Sequence, residues 1–475
     1  MKKPYLGMLP LLFGLVATPA IADTQKPNVI FIFADDQRAG TLNLNGAGNP
    51  DIITPNIDKL AQRGFLFDNS YVFGAAQGSV CYPSRTQILS GQSIYRQNLD
   101  RPSIDRQDMH LPTAFKLAGY QTMRTGKANN VPYGINQEFD VNIERANRGS
   151  AKGNKAYFQD AKDFIEQKTL TGLGEKAVRW DGESPFFMYL AVGTPHHPYP
   201  RDKTSEQQYQ GKDITLPEDA LIKHERLLQL YTDAKPKKPP FHSKLTTESE
   251  AKKELTQYYA SITYMDTLLG DLETYLKQKD LYDNTIIVVA SDNGLSIGSH
   301  GLKGKSNLME FGGMHVYMVF AGPGIAQGRS QTLTYLLDMF PTLSDLTGID
   351  KPASLQGTSL VPVINGEKSD VREFVYTSYG EKNMQQRALR NARWKIIFFP
   401  DIDAYELYDL QNDPRELNDL SNSKAHQQEL VRMKAQLALE GKKWGEKPSF
   451  RQQGFRLKRQ YKASDLPAPL DLSKF

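Results

Sequence analysis

Cys81, the only cysteine of the chain, opens the run Cys81-Tyr82-Pro83-Ser84-Arg85. The residues that follow, 86–91, can form a helix. A thiol at a helix N-terminus feels the positive end of the helix dipole, which is expected to lower its pKa and favour reactivity. Two acidic pairs stand elsewhere. Asp35 and Asp36 follow an apolar run at 28–34, and Asp292 and Asn293 follow another at 285–290. Four oxygen ligands converging at strand ends suit a hard cation such as Ca²⁺ or Mg²⁺. Cationic or ionisable candidates complete the set. These are Arg85, Lys127 after Gly126, His196 and His197 in the frame Pro195-His196-His197-Pro198, and His300 and Lys305 in the run His300-Gly301-Leu302 to Lys305. Together they could stabilise an anionic group on which charge develops during bond cleavage. Taken singly, each also has a structural reading. Adjacent aspartates are often turn residues, and a lone histidine or lysine more often packs than reacts.

The elements that must position these groups are legible as hydrophobic periodicity. Residues 28–34, 186–192, 285–290 and 316–320 are apolar runs of strand length, rich in β-branched and aromatic side chains. Segments 58–64 and 112–119 read as helices stopped by Gly64 and Gly119, and 254–279 reads as a long amphipathic helix. Buried strands alternating with helices predict an α/β fold, a large and mostly parallel sheet with helices on both faces. The polar clusters then fall just past strand ends, where sites form in open α/β sheets. Segment 200–250 is polar, contains Lys235-Pro236-Lys237-Lys238-Pro239-Pro240, and reads as a surface excursion or substrate-binding insert. After about residue 365 the strands shorten (374–378 and 394–399), and a last helix is expected over 426–440. The expected organisation is a leader at 1–22, a main domain at 23–365, and a smaller α+β subdomain with a basic tail at 366–475.

Bulk composition narrows the options. The chain has 475 residues and is 39% hydrophobic, enough for a large core. With 58 basic and 54 acidic residues the net charge is +4, and no basic-patch motif points to nucleic acid. Lys2 and Lys3, an apolar run over 6–16 and Ala20-Ile21-Ala22 read as a secretory signal peptide, so the mature chain is expected to begin at Asp23. That run is too short to span a bilayer, and no other segment reads as a membrane span. The expected location is the periplasm or outside the cell. One cysteine in an exported chain excludes an internal disulfide.

Cys81-x-Pro83-Ser84-Arg85 followed by x-x-x-Leu89-x-Gly91 resembles the sequence read by enzymes that oxidise cysteine to formylglycine. Here the chain resembles the type I sulfatase family, within the alkaline-phosphatase-like superfamily, and in particular bacterial polysaccharide sulfatases such as those acting on algal galactans including carrageenans. Matches at 54–61, 111–113 and 406–414 extend the resemblance from about residue 27 to 421. It implies a formylglycine at position 81, one Ca²⁺ (or Mg²⁺) on Asp35, Asp36, Asp292 and Asn293, and sulfate binding by Arg85, Lys127, His196 and the run from His300 to Lys305. It also implies a maturation partner, a formylglycine-generating or anaerobic sulfatase-maturating enzyme, and a sulfated oligo- or polysaccharide substrate. In the implied mechanism one hydroxyl of hydrated formylglycine attacks sulfur, His196 or Lys305 protonates the leaving alcohol, and the second hydroxyl lets sulfate depart.

The chain departs from the family pattern twice. Asn129 stands where many members carry a histidine, and asparagine cannot serve as a base near neutral pH. His315 stands near where an arginine is common, so it either lines the substrate pocket or fills the arginine's structural place. Two competing readings remain at this point: a formylglycine-dependent phosphoester or phosphonate monoester hydrolase, and an inactive homologue that binds sulfated glycans.

Overall fold

The computed structural model describes residues 25–75, 80–96, 109–127, 133–145, 147, 149–172, 177–234, 247–380 and 384–446. The expected leader at 1–22, Asn129, the Lys/Pro-rich run at 235–240 and most of the basic tail lie outside these residues. Among the described residues, no helix is long and apolar enough to cross a membrane.

The strand Asn28–Ala34 is buried at every position and occupies the middle of a nine-stranded sheet. Thr285–Ser291 flanks it on one side and Phe186–Ala191 on the other, both parallel. Beyond Phe186–Ala191 the parallel run continues through Gln121–Lys127 to Val141–Arg145. Continuous apolar runs form these strands because both faces are covered. Alternation decides which face each residue serves. Val29, Phe31 and Phe33 pack with the helices Cys81–Ser90, Leu111–Leu117 and Met339–Thr347. Ile30, Ile32 and Ala34 pack on the opposite face with Pro55–Arg63, Ala151–Ile165 and Glu248–Gln278. His315–Ala321, the expected fourth strand, runs antiparallel to both Thr285–Ser291 and Phe65–Tyr71, so the sheet is mostly rather than wholly parallel.

A second, five-stranded sheet holds the antiparallel strands Val375–Tyr379, Gln386–Arg390, Trp394–Phe399 and Ala404–Asp409. Its remaining strand, Gly74–Ala75, comes from far upstream and pairs parallel with Val375–Tyr379. The helix Gln427–Trp444 covers this sheet through Leu430, Met433 and Leu437. Of the segment 200–250, the described stretch 200–234 packs onto the domain rather than running over its surface. Tyr209 and Ile214 are buried against the long helix, and Ala220 bridges to Ser299.

Candidate active site

Strand register assembles the site. Ala34 pairs with Ser291, so the residues after each strand emerge side by side. The Asp292 amide donates to Ala34 O at 3.1 Å, and the Asp36 amide donates to Asp292 Oδ1 at 3.1 Å. On the other side, Asp35 bridges to Pro195 and its amide donates to Thr194 O at 2.9 Å, which brings in His196. Lys127 ends the next parallel strand. Four adjoining strand ends, Ser291, Ala34, Ala191 and Lys127, therefore feed one spot at the C-terminal edge of the sheet.

Cys81 is the first residue of its helix and is buried at this spot. Its Sγ lies 3.1 Å from Asp35 Oδ1 and 3.6 Å from Asp36 Oδ1, and Lys305 Nζ donates to it at 2.7 Å. Lys305 also ion-pairs with Asp36. Lys127 Nζ meets Asp35 Oδ2 at 2.6 Å, and Arg85 Nε meets Asp292 Oδ2 at 2.8 Å. His196 Nε2 stands 3.7 Å from Asp36 Oδ2. Its Nδ1 lies 2.7 Å from His197 O, a carbonyl that only accepts, so Nδ1 carries the proton of the neutral ring and leaves Nε2 to exchange one. All nine residues expected at the catalytic and metal positions thus converge.

The electrostatics follow from this crowding. Burial opposes ionisation of Asp35, but Lys127, then His196 and Arg85, outweigh it and hold its carboxyl well below the usual range. Burial would lower Lys305, but the Asp36 carboxylate and Cys81 raise it well above the usual lysine value. The expectation of a lowered thiol pKa is overturned. Burial first, then Asp292 and Asp35, push Cys81 well above an ordinary thiol and outweigh the opposing pull of Lys305 and Lys127. As encoded, residue 81 is a neutral thiol and a weak nucleophile.

The donor set fits a hard cation. Ligand atoms of Asp35, Asp36, Asp292 and Cys81 lie within 4.8 Å of one another. Asn293 Nδ2 donates to Asp36 Oδ1 at 2.7 Å and to Gly294 O at 2.8 Å, whereas its buried Oδ1 has no hydrogen-bond partner. An amide oxygen left open beside three carboxylates is a calcium- or magnesium-type ligand set. Three carboxylates against Arg85, Lys127 and Lys305 leave the cluster near neutrality. An added divalent cation makes it net positive and receptive to an anion.

The remaining expected residues are placed differently. His197 is exposed beside His196, its ring edge-on to Tyr199 at 5.3 Å. His300 is buried, with its amide on Asp219 O at 2.8 Å and its ring 5.7 Å from that of His224. Burial pushes it down to about 4, so it is neutral near pH 7. It braces the loop that carries Lys305 against segment 217–226 rather than facing Cys81. His315 does not line the Cys81 cluster either. It stacks on Tyr71 at 4.7 Å and lies 3.4 Å from Glu310, within a buried network that Arg390 and Lys395 complete between the two sheets. This is the structural alternative foreseen for it. The sequence reading missed Ser291, whose Oγ accepts the Gln37 amide at 2.8 Å, and Tyr258, which reaches the Asp36 main chain from the long helix. Ser291 stands beside Asp292, and that adjacency is the only signal the sequence offered.

Comparison with known proteins gives concordant matches. The sulfatase family model matches residues 27–349, and the model for the C-terminal region of N-sulphoglucosamine sulphohydrolase matches 298–443. An N-acetylglucosamine-6-O-sulfatase of Bacteroides thetaiotaomicron is 27% identical, covering 88% of this chain and 87% of its own. A choline-sulfatase of Rhizobium meliloti is 28% identical, covering 84% and 83%. An ulvan-active sulfatase of Formosa agariphila is 26% identical, covering 85% and 77%. Among solved structures, one in complex with its substrate D-glucosamine-2-N,6-O-disulfate superposes with a TM-score of 0.72 at 22% identity, covering 90% of this chain and all of its own. A phosphonate monoester hydrolase from Silicibacter pomeroyi shares the fold at a TM-score of 0.67 and 19% identity, covering 88% and 96%.

Proposed function

The chain belongs to the sulfatase family and is a sulfate ester hydrolase, and from that premise we propose that it removes sulfate from a carbohydrate, using residue 81 as formylglycine and one Ca²⁺ or Mg²⁺. The observation that carries this reading is the position of the Cys81 side chain. It stands within hydrogen-bond reach of Asp35 and Lys305, in a buried cluster whose cations and carboxylates balance. Glycan sulfatases among the relatives support a sulfated saccharide substrate. Carrageenan is the specific substrate the sequence resemblance suggests, and a relative acting as an N-acetylglucosamine-6-O-sulfatase adds a 6-sulfated glucosamine as a second candidate.

Hydrated formylglycine would supply a hydroxyl to attack sulfur and a second to expel sulfate, while a cation on Asp35, Asp36, Asp292 and Asn293 would stabilise charge on the transferred group. The chain's own residues do the rest. Lys127 and Lys305 present ammonium groups to the ester oxygens, and Arg85 holds Asp292 in place. His196, whose side chain is a quarter exposed, would give a proton from Nε2, once that atom has taken one up, to the departing sugar oxygen. The buried walls around Cys81 keep water from dispersing these fields. The expected leader fits an exported enzyme matured by a formylglycine-installing partner.

The test uses enzyme made in a host that installs formylglycine, offered carrageenan, ulvan and glucosamine 6-sulfate beside matched phosphate esters. A sulfate ester carries one negative charge, whereas a phosphate monoester carries about 1.5 to 2 near pH 7. Sulfate release with much slower phosphate turnover is expected. Preferential phosphate release would move the protein to the phosphoester hydrolases that share its fold.

A further inference from the structure

The Asp36 backbone is strained. Its φ is +74°, in the left-handed region that side-chain-bearing residues seldom occupy. That turn lets consecutive residues, Asp35 and Asp36, aim both carboxylates at one point, where an extended chain would send them to opposite faces. Such a conformation persists only where its surroundings over-determine it.

One side chain does so from outside the loop. Tyr258, in the middle of the long helix Glu248–Gln278, is fully buried. Its hydroxyl donates to Asp36 O at 2.7 Å and accepts the Arg38 amide at 3.0 Å. A single phenol oxygen thus bridges the carbonyl and the amide on either side of Gln37. The clamp extends further. Arg38 NH1 donates to Ser296 O at 2.7 Å and to Ser299 Oγ at 3.1 Å, in the loop that leads to Lys305. Lys305 returns to Asp36 and Cys81. Tyr258 therefore joins the two segments that supply opposite charges to the site, without touching the reacting atoms.

We propose that Tyr258 is a positioning residue for the cation site, holding Asp36 in its ligating turn through that bridge. The inference rests on the metal reading above. Tyr258→Phe keeps the ring and its packing on Tyr199 and Tyr259 and removes only the bridging oxygen. Tyr259→Phe is the matched control. Tyr259 is equally buried on the same helix, but its hydroxyl accepts from Asn49 Nδ2 at 2.9 Å and does not touch the Asp35–Asp36 loop.

The measurement is calorimetric Ca²⁺ titration of wild type, Tyr258→Phe, Tyr259→Phe and Asp36→Asn, each with unmodified Cys81, so that turnover plays no part. Tyr258→Phe is expected to bind Ca²⁺ about tenfold more weakly, with Tyr259→Phe matching wild type. Wild-type affinity in Tyr258→Phe, with binding lost in Asp36→Asn, would overturn this inference alone. Equal weakening in both tyrosine variants would also overturn it, since the effect would then be general destabilisation. A wild type that binds neither Ca²⁺ nor Mg²⁺ would overturn the metal reading and this inference together.

Discussion

Lys305 touches residue 81 and Asp36 at once, so it is the side chain most directly coupled to both the nucleophile and the cation ligands. Lys305→Met removes the charge while keeping most of the stem. Losing one preorganised donor of this kind costs about 10²–10³ in kcat. We expect that loss in steady-state assays of sulfate release, and an unchanged kcat would contradict the placement of Lys305. At this scale the sequence was informative wherever a polar residue directly follows a buried strand, as with Asp35, Asp36, Asp292 and Asn293. It was silent on direction. His300 and His315 lie close in sequence to Lys305, but their side chains leave the backbone toward Asp219 and Tyr71, and for His315 the sequence had left both roles open. The thiol pKa was misjudged because a helix N-terminus is visible in sequence and the burial around it is not. Tyr258 carried no signal, since one tyrosine in a long helix reads as core.

Elements were read more faithfully than side chains. The strand 394–399 stands as expected, and 28–34, 186–192 and 285–290 agree to within a residue, because doubly covered parallel strands leave unbroken apolar runs. The long helix starts at Glu248, six residues before the expected 254. Thr247 and Glu250 form a reciprocal capping box there, and that Thr-x-x-Glu signature was available in the sequence. The strand Gly74–Ala75 was invisible, since two small residues carry no periodicity. It nevertheless ties the helix Cys81–Ser90, through Gln87 Nε2 on Gly74 O at 2.9 Å, to the second sheet. Gly74 has φ +136°, and a Cβ there would sit 1.7 Å from Ser378 O. Gly74→Ala should lower unfolding free energy by about 3 kcal/mol. An unchanged denaturant midpoint would show that the close approach of these strands is relaxed in solution.

At the scale of the molecule, parallel strand order made the fold class and the site's edge predictable, whereas the seam between the two sheets was not. Glu310, Arg390, Lys395 and Glu416 pair there across long sequence separations that no local pattern encodes. The junction around His300 gives stability a pH dependence. Its folded value of about 4 lies below the ordinary 6.5, so between these values the unfolded chain binds more protons. The stabilisation from keeping His300 neutral is complete above pH 6.5 and is lost as pH falls toward 4. Between pH 7 and pH 5 wild type should lose about 2 kcal/mol more than His300→Gln in denaturant titrations. Parallel losses would place the acid sensitivity elsewhere. Turnover is expected to require Cys81 and the cation cluster together. The most direct test is free sulfate released from glucosamine 6-sulfate by wild type and by Cys81→Ala, each with excess Ca²⁺ or with chelator. Release by wild type with Ca²⁺ alone, and by no other combination, is predicted. Sulfate release by Cys81→Ala at the wild-type rate would show that residue 81 is not the nucleophile.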